Sequence, residues 1–147
     1  MQQLPPGVAV TLCGRSGPAT CHGPAEHEQH CPVIVISGGS LPGRLVLTMR
    51  GEFDLSSLPA MSYVLSGMAL DHHYDVCVDA TMVTFIDVAS VRAIGRAHAL
   101  RCSRGANGLC IIGASVQFRR VLSLCGLVHL VDRDRPLWAG AIVDLSL

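Results

Sequence analysis

The chain has 147 residues with 11 arginines, no lysine, 11 acidic residues, seven cysteines, seven histidines and six aromatic residues, and its net charge is zero. Half of the residues are apolar and 15% are charged, enough material for a hydrophobic core and too little charge for a disordered chain. Neutrality gives no global attraction to a polyanion and the few aromatics give no stacking platform, so nucleic-acid binding is not expected.

No apolar run reaches the roughly 18 to 20 residues needed to cross a bilayer, which predicts no membrane insertion. Met1 to Gly14 lacks a basic flank followed by a long apolar stretch, so no secretory leader is read there. A cytoplasmic protein with reduced thiols is the expectation, and no cofactor is implied.

Composition shifts near residue 32. Residues 1–31 hold four prolines, four glycines, three cysteines and three histidines. Such a segment buries too little surface to offset its ordering entropy and reads as a flexible tail, with residues 8–12 as a transient strand. Residues 32–133 read as one folded domain and 134–147 as a C-terminal extension.

Within the domain, the β-branched run 33–37 and the segment 44–50 flank a Gly/Pro-rich connector and suit an antiparallel hairpin. From Ser57 the period lengthens: Leu58, Met61, Leu65 and Met68 make a helical stripe, with Ser57 as N-cap and Pro59 in the first turn. Residues 71–75 close this helix, 76–79 form a short strand, and 88–102 a second helix with Asp87 as N-cap. Its apolar stripe is Val91, Ile94, Gly95, His98 and Cys102, while Arg92, Arg96, Arg101 and Arg104 read as a solvated basic series. Gly105 ends the helix. A strand follows at 109–112, then a third helix capped by Ser115 with Phe118, Val121, Leu122 and Cys125 inward and Gly126 as stop, then a last strand at 128–131. The order β-β-α-β-α-β-α-β gives an α/β fold: a mixed sheet of about four to five strands, largely parallel, with helices packed on it and right-handed crossovers.

Three blocks carry a family resemblance: Arg50-Gly51-Glu52-Phe53-Asp54-Leu55; Val78-Asp79-Ala80-Thr81-Met82-Val83-Thr84-Phe85-Ile86-Asp87; and residues 114–122 through Gly126-Leu127. In this order and spacing the sequence resembles the STAS domain family, the fold of bacterial anti-sigma factor antagonists. The resemblance implies a STAS-like fold and a signalling role in transcription regulation by protein binding, not by catalysis. The partner it implies is an anti-sigma factor, itself a GHKL-type serine kinase in many such systems, whose capture releases a sigma factor.

Family members place Asp-Ser-Ser-Gly at the second helix, and the second serine accepts a phosphate that breaks the partner interface. Here Asp87 matches the aspartate, but Val88, Ala89 and Ser90 follow. Ala89, at the acceptor position, has no hydroxyl, so the usual switch is not expected. Ser90 is the alternative phosphosite, with a plain first-turn helix residue as the competing reading. The implied partner surface comprises Phe53, Asp54, Leu55, Thr84, Asp87, Val88, Ala89, Ser90 and Arg92. A STAS accessory subunit of a transporter is the alternative role within the family.

Two cysteine sets stand apart. Cys21, His22, His30 and Cys31 number enough for one tetrahedral zinc, although the tail has no Cys-x-x-Cys, and incidental composition is the plainer reading. Cys77 and Cys110 fall on strands that the topology could place side by side, as a redox pair or as two small buried hydrophobes. A redox- or metal-responsive regulator is the function these sets would give.

Overall fold

The computed structural model describes residues 8–11, 31–39, 43–70 and 73–131. Five strands form one sheet in sequential order: β1 (Val8–Thr11), β2 (Val33–Gly38), β3 (Arg44–Phe53), β4 (Asp75–Ile86) and β5 (Cys110–Ile112). β1 to β2 and β2 to β3 are antiparallel, and β3 to β4 and β4 to β5 are parallel. The sheet is therefore mixed, and only half of its pairings are parallel because residues 8–11 add an antiparallel edge to the expected hairpin. The tail residues Cys21, His22 and His30, and the extension 134–147, lie outside the described residues.

Three helices alternate with the later strands: α1 (Leu58–Leu70), α2 (Val88–Ser103) and α3 (Val116–Leu124). Among the described residues the helices cover one face of the sheet. Along β3, Leu45, Leu47 and Met49 are buried while Arg44, Val46 and Thr48 are partly exposed, the alternation of a one-sided strand. The buried set joins Val76, Val78 and Ile111 with Met61 and Leu65 of α1, Val91 and Ile94 of α2, and Phe118 and Leu122 of α3 in one core. α2 and α3 end as the sequence indicated, with Gly105 and Gly126 at positive φ.

Four sequence expectations are corrected. Residues 128–131 are not a strand: Val128–Leu130 is a 3₁₀ turn. Leu130 donates to the Leu127 carbonyl and Val131 to the Val128 carbonyl, so these donors are spent inside the turn, and a single bridge from Val131 to Ile111 remains. Ser57 does not cap α1 with its side chain. Its buried hydroxyl accepts from the Asp54 N–H at 3.1 Å and donates to the Asp54 carbonyl at 3.0 Å, fastening the preceding loop. Cys102, expected in the core, is exposed.

The fourth concerns Arg101, read as solvated. It is 0% exposed. The inward face of α2 is Ser90, Val91, Ala93, Ile94, Ala97 and Arg101, because the small alanines face α1 and turn position 101 inward in place of Cys102. The Arg101 guanidinium donates from Nε to the Asn107 carbonyl at 2.9 Å, from Nη1 to the Met68 carbonyl at 2.9 Å, and from Nη2 to the Tyr74 carbonyl. The Met68 carbonyl belongs to the last turn of α1, where no intrahelical partner is available. One side chain thus ties the end of α1, the entry to β4 and the exit from α2. A second latch lies nearby: the Leu109 N–H donates to His98 Nδ1 at 3.0 Å, so His98 is a packed structural residue, and burial with the neighbouring His129 lowers its pKa.

Replacing Arg101 with Met keeps the stem and deletes the donors, leaving buried carbonyls without them. Arg101→Met is expected to cost about 3 kcal/mol or more, read as a lower urea midpoint in equilibrium unfolding; a change below about 1 kcal/mol would contradict the clamp.

Candidate functional site

The sequence read β4 as ending at residue 79, with a loop to follow. The strand instead runs to Ile86, and its second half is irregular. β3 and β4 lose register between Thr48 and Arg50 and again between Gly51 and Glu52. From Thr48↔Asp79 to Arg50↔Met82, and from Gly51↔Val83 to Glu52↔Phe85, β4 inserts one extra residue each time. Gly51 takes φ +96° at this irregularity, a conformation that a side chain would strain.

The bulges convert a period of two into a period of three. Ala80, Val83 and Ile86 are buried, and the pairs between them, Thr81 with Met82 and Thr84 with Phe85, are exposed. Met82 and Phe85 are therefore apolar side chains held on the outside by backbone geometry.

The strand delivers Asp87 to a fixed place. Its N–H donates to the Phe53 carbonyl at 3.1 Å, its carbonyl accepts from the Val91 N–H, and its carboxylate accepts from the Ser90 N–H at 2.8 Å. The expected N-cap of α2 is thus formed with good geometry. Beside it, the Asp54 carboxylate accepts from the N–H of Ser56 at 2.9 Å and from the Ser56 hydroxyl. These hydrogen bonds, the Ser56 hydroxyl first, lower the Asp54 pKa. Each carboxylate is engaged in its own local turn, which suits an ordered surface better than proton transfer.

The residues expected at the site do lie together at the carboxyl ends of β3 and β4 and the start of α2, but they differ in access. Asp54, Leu55, Thr84, Val88 and Arg92 are exposed, Asp87 and Ala89 are half-buried, and Phe53 and Ser90 are buried. Phe53 contributes through its carbonyl, its ring being in the core. Ser90 is 0% exposed and its Oγ has no hydrogen-bond partner among the described residues. Met82 was missed by sequence reasoning, and Phe85 was included only as part of the 84–87 loop, because a segment read as a loop gives no orientation for its side chains. The available signal was two large apolar residues in a run thought to be solvated. With Leu55 at 69% exposure, Met82 at 54%, Phe85 at 41% and Val88 at 39%, they form an apolar rim on the segments that lead to and from the two aspartates.

Among the described residues no group of three or more His, Cys, Asp or Glu is placed to hold a metal ion, and no helix is long and apolar enough to cross a membrane. Cys31, the one described member of the tail set, is half-buried. The basic series is divided by the structure: Arg92, Arg96 and Arg104 are exposed, and Arg101 belongs to the interior clamp.

Comparison with known proteins agrees with this architecture. The family model described as "Mlab, STAS domain" matches residues 36–132, and a search of curated protein sequences gives no match. The unphosphorylated anti-sigma factor antagonist SpoIIAA superposes with a TM-score of 0.60 at 12% identity, covering 77% of this chain and 95% of that one. An anti-sigma factor antagonist from Mycobacterium paratuberculosis superposes with a TM-score of 0.58 at 16% identity, covering 75% and 91%. The murine anion transporter Slc26a9 contains a similar region, with a TM-score of 0.56 at 11% identity, covering 98% of this chain and 22% of the transporter. These structural likenesses bear on the fold; the family match over the greater part of the sequence carries the assignment, and by it the chain belongs to the STAS domain family.

Proposed function

We propose that this chain is a protein-binding module and not an enzyme, a cytoplasmic bacterial regulator that docks an anti-sigma factor through the apolar rim on the segments that lead to and from Asp54 and Asp87. The observation that carries the reading is that rim: Leu55 in the turn after β3, Met82 and Phe85 in the second half of β4, and Val88 at the start of α2 are all exposed. Large exposed apolar side chains beside charged ones, here Asp54, Asp87 and Arg92, are the anatomy of a protein interface. Arg92 is exposed in the first turns of α2 and supplies the charge that steers an acidic group on the partner. Structures similar to this one include anti-sigma factor antagonists.

SpoIIAA is known in unphosphorylated and phosphorylated forms. In this chain Ala89 carries no acceptor hydroxyl, and the buried Ser90 Oγ reaches a kinase only if the first turn of α2 opens. The reading is therefore a constitutively competent binder, with no phosphate release step. A second reading, an accessory subunit of a transporter, draws on the transporter region among the similar structures; it uses the same rim with a different partner.

Isothermal titration against the anti-sigma factors and transporter ATPases of the source genome separates the two readings. Binding to an anti-sigma factor supports the first, and binding only to an ATPase replaces it with the second. In the complex, Phe85→Asp or Val88→Asp is expected to weaken binding at least tenfold, and Leu124→Asp, on exposed α3 surface, to leave it unchanged. Ala89→Glu restores a negative group at the acceptor position. It is expected to weaken binding similarly while shifting stability by no more than about 1 kcal/mol, since acids are tolerated at a helix N-terminus.

Ser90→Ala removes a buried hydroxyl that has no partner among the described residues. Equilibrium unfolding is expected to show unchanged or increased stability, by up to about 1 kcal/mol, with partner affinity retained. Phosphate on Ser90 after incubation with ATP and a kinase partner, together with release of the complex, would refute the unswitched reading.

A further inference from the structure

Cys77 and Cys110 are direct partners across the parallel ladder of β4 and β5, so their side chains leave the same face of the sheet. It is the face of Arg44, Val46 and Thr48, opposite the helix-covered core. Neighbouring strands lie about 4.8 Å apart, within the roughly 4.4–6.8 Å between Cα atoms that a disulfide spans. Cys77 is buried, whereas Cys110 is half-buried on the three-residue strand β5.

We propose that Cys77 and Cys110 are a thiol-oxidation site that closes to a reversible disulfide when a hydroperoxide reaches Cys110. The Cys110 sulfur attacks the peroxide, the O–O bond breaks, and Cys110 becomes a sulfenic acid with release of an alcohol, or of water when the oxidant is hydrogen peroxide. The Cys77 sulfur then attacks the Cys110 sulfur. The S–S bond forms, the S–O bond breaks, and the departing hydroxide leaves as water with the Cys77 proton. Two thiols and one hydroperoxide give one disulfide, one water and one alcohol, or two waters from hydrogen peroxide.

Exposure sets the order of the two steps. Cys110 is half-buried and Cys77 buried, so Cys110 is the sulfur that meets the oxidant; the neighbouring Cys110 side chain, and then burial, push the Cys77 thiol up. Cys102, although exposed on α2, has no such partner across a ladder.

The position gives the link its meaning. Cys77 lies near the start of β4, at the opposite end of the strand from Asp87, so the bond does not touch the docking rim. It closes a ring over residues 78–109, which contains the bulged half of β4, the Asp87 cap and the whole of α2. It also fastens β5, which is held to β4 by three residue pairs.

The test is stoichiometric hydrogen peroxide on the full chain, then alkylation, digestion and mass mapping, with thermal unfolding in parallel. A Cys77–Cys110 peptide two hydrogens lighter than its reduced parts, reversed by dithiothreitol, is expected. The unfolding midpoint should rise by roughly 5 °C or more, and Cys110→Ser should lose both effects. In Cys77→Ser, Cys110 should instead be trapped as sulfenic acid by dimedone. Should Cys77→Ser fail to fold, Cys110→Ser on the half-exposed edge decides alone. Cys77 remaining fully alkylatable while Cys110 proceeds to sulfinic acid, or Cys110 joining a different cysteine, would overturn the proposal.

Discussion

The parallel ladder between β3 and β4 fixes where every other functional feature can lie. It aligns the carboxyl ends of both strands, so the Phe53 carbonyl meets the Asp87 N–H and the Asp54 turn sits beside the first turn of α2. Had the ladder kept a regular register, β4 would have alternated to its end. Met82 or Phe85 would then have faced the helices. The two inserted residues set the rim outward at the cost of ladder regularity, a trade common beside binding surfaces.

Charge is used sparingly and in two ways. Inside, Arg101 replaces what would be a set of unsatisfied carbonyls at helix and strand ends with donors from a single guanidinium. Outside, Asp54 and Asp87 are each bound into a turn and present a fixed negative edge among apolar groups. Fixed groups lose little freedom when a partner arrives.

Much of the fold was legible because local chemistry agreed with tertiary demand. Asp87 and Ser115 cap their helices as their positions imply, and Gly105 and Gly126 stop α2 and α3. The errors have two causes: a role set by a distant segment, and a local turn that won over the expected element. Arg101 looked solvated because arginine usually is, and its acceptors come from as far as Met68 in sequence. Ser57 had the right type for a cap but turned back to Asp54. The bulges in β4 leave no mark in a pattern of alternation except its failure, so the strand was read as a loop and the rim was read only in part. That residue 89 carries no hydroxyl, by contrast, needed no structure, because it is a fact of composition at one site.

β5 accompanies β4 only as far as Asp79, which leaves residues 80–86 without a β5 partner on that side. A flat, apolar edge of that length is a template onto which other chains can add. The bulges deny it: with one extra residue inserted twice, the backbone groups no longer follow the spacing that a straight incoming strand requires. The irregularity that turns Phe85 and Met82 outward therefore also makes this stretch of β4 a poor template for an added strand.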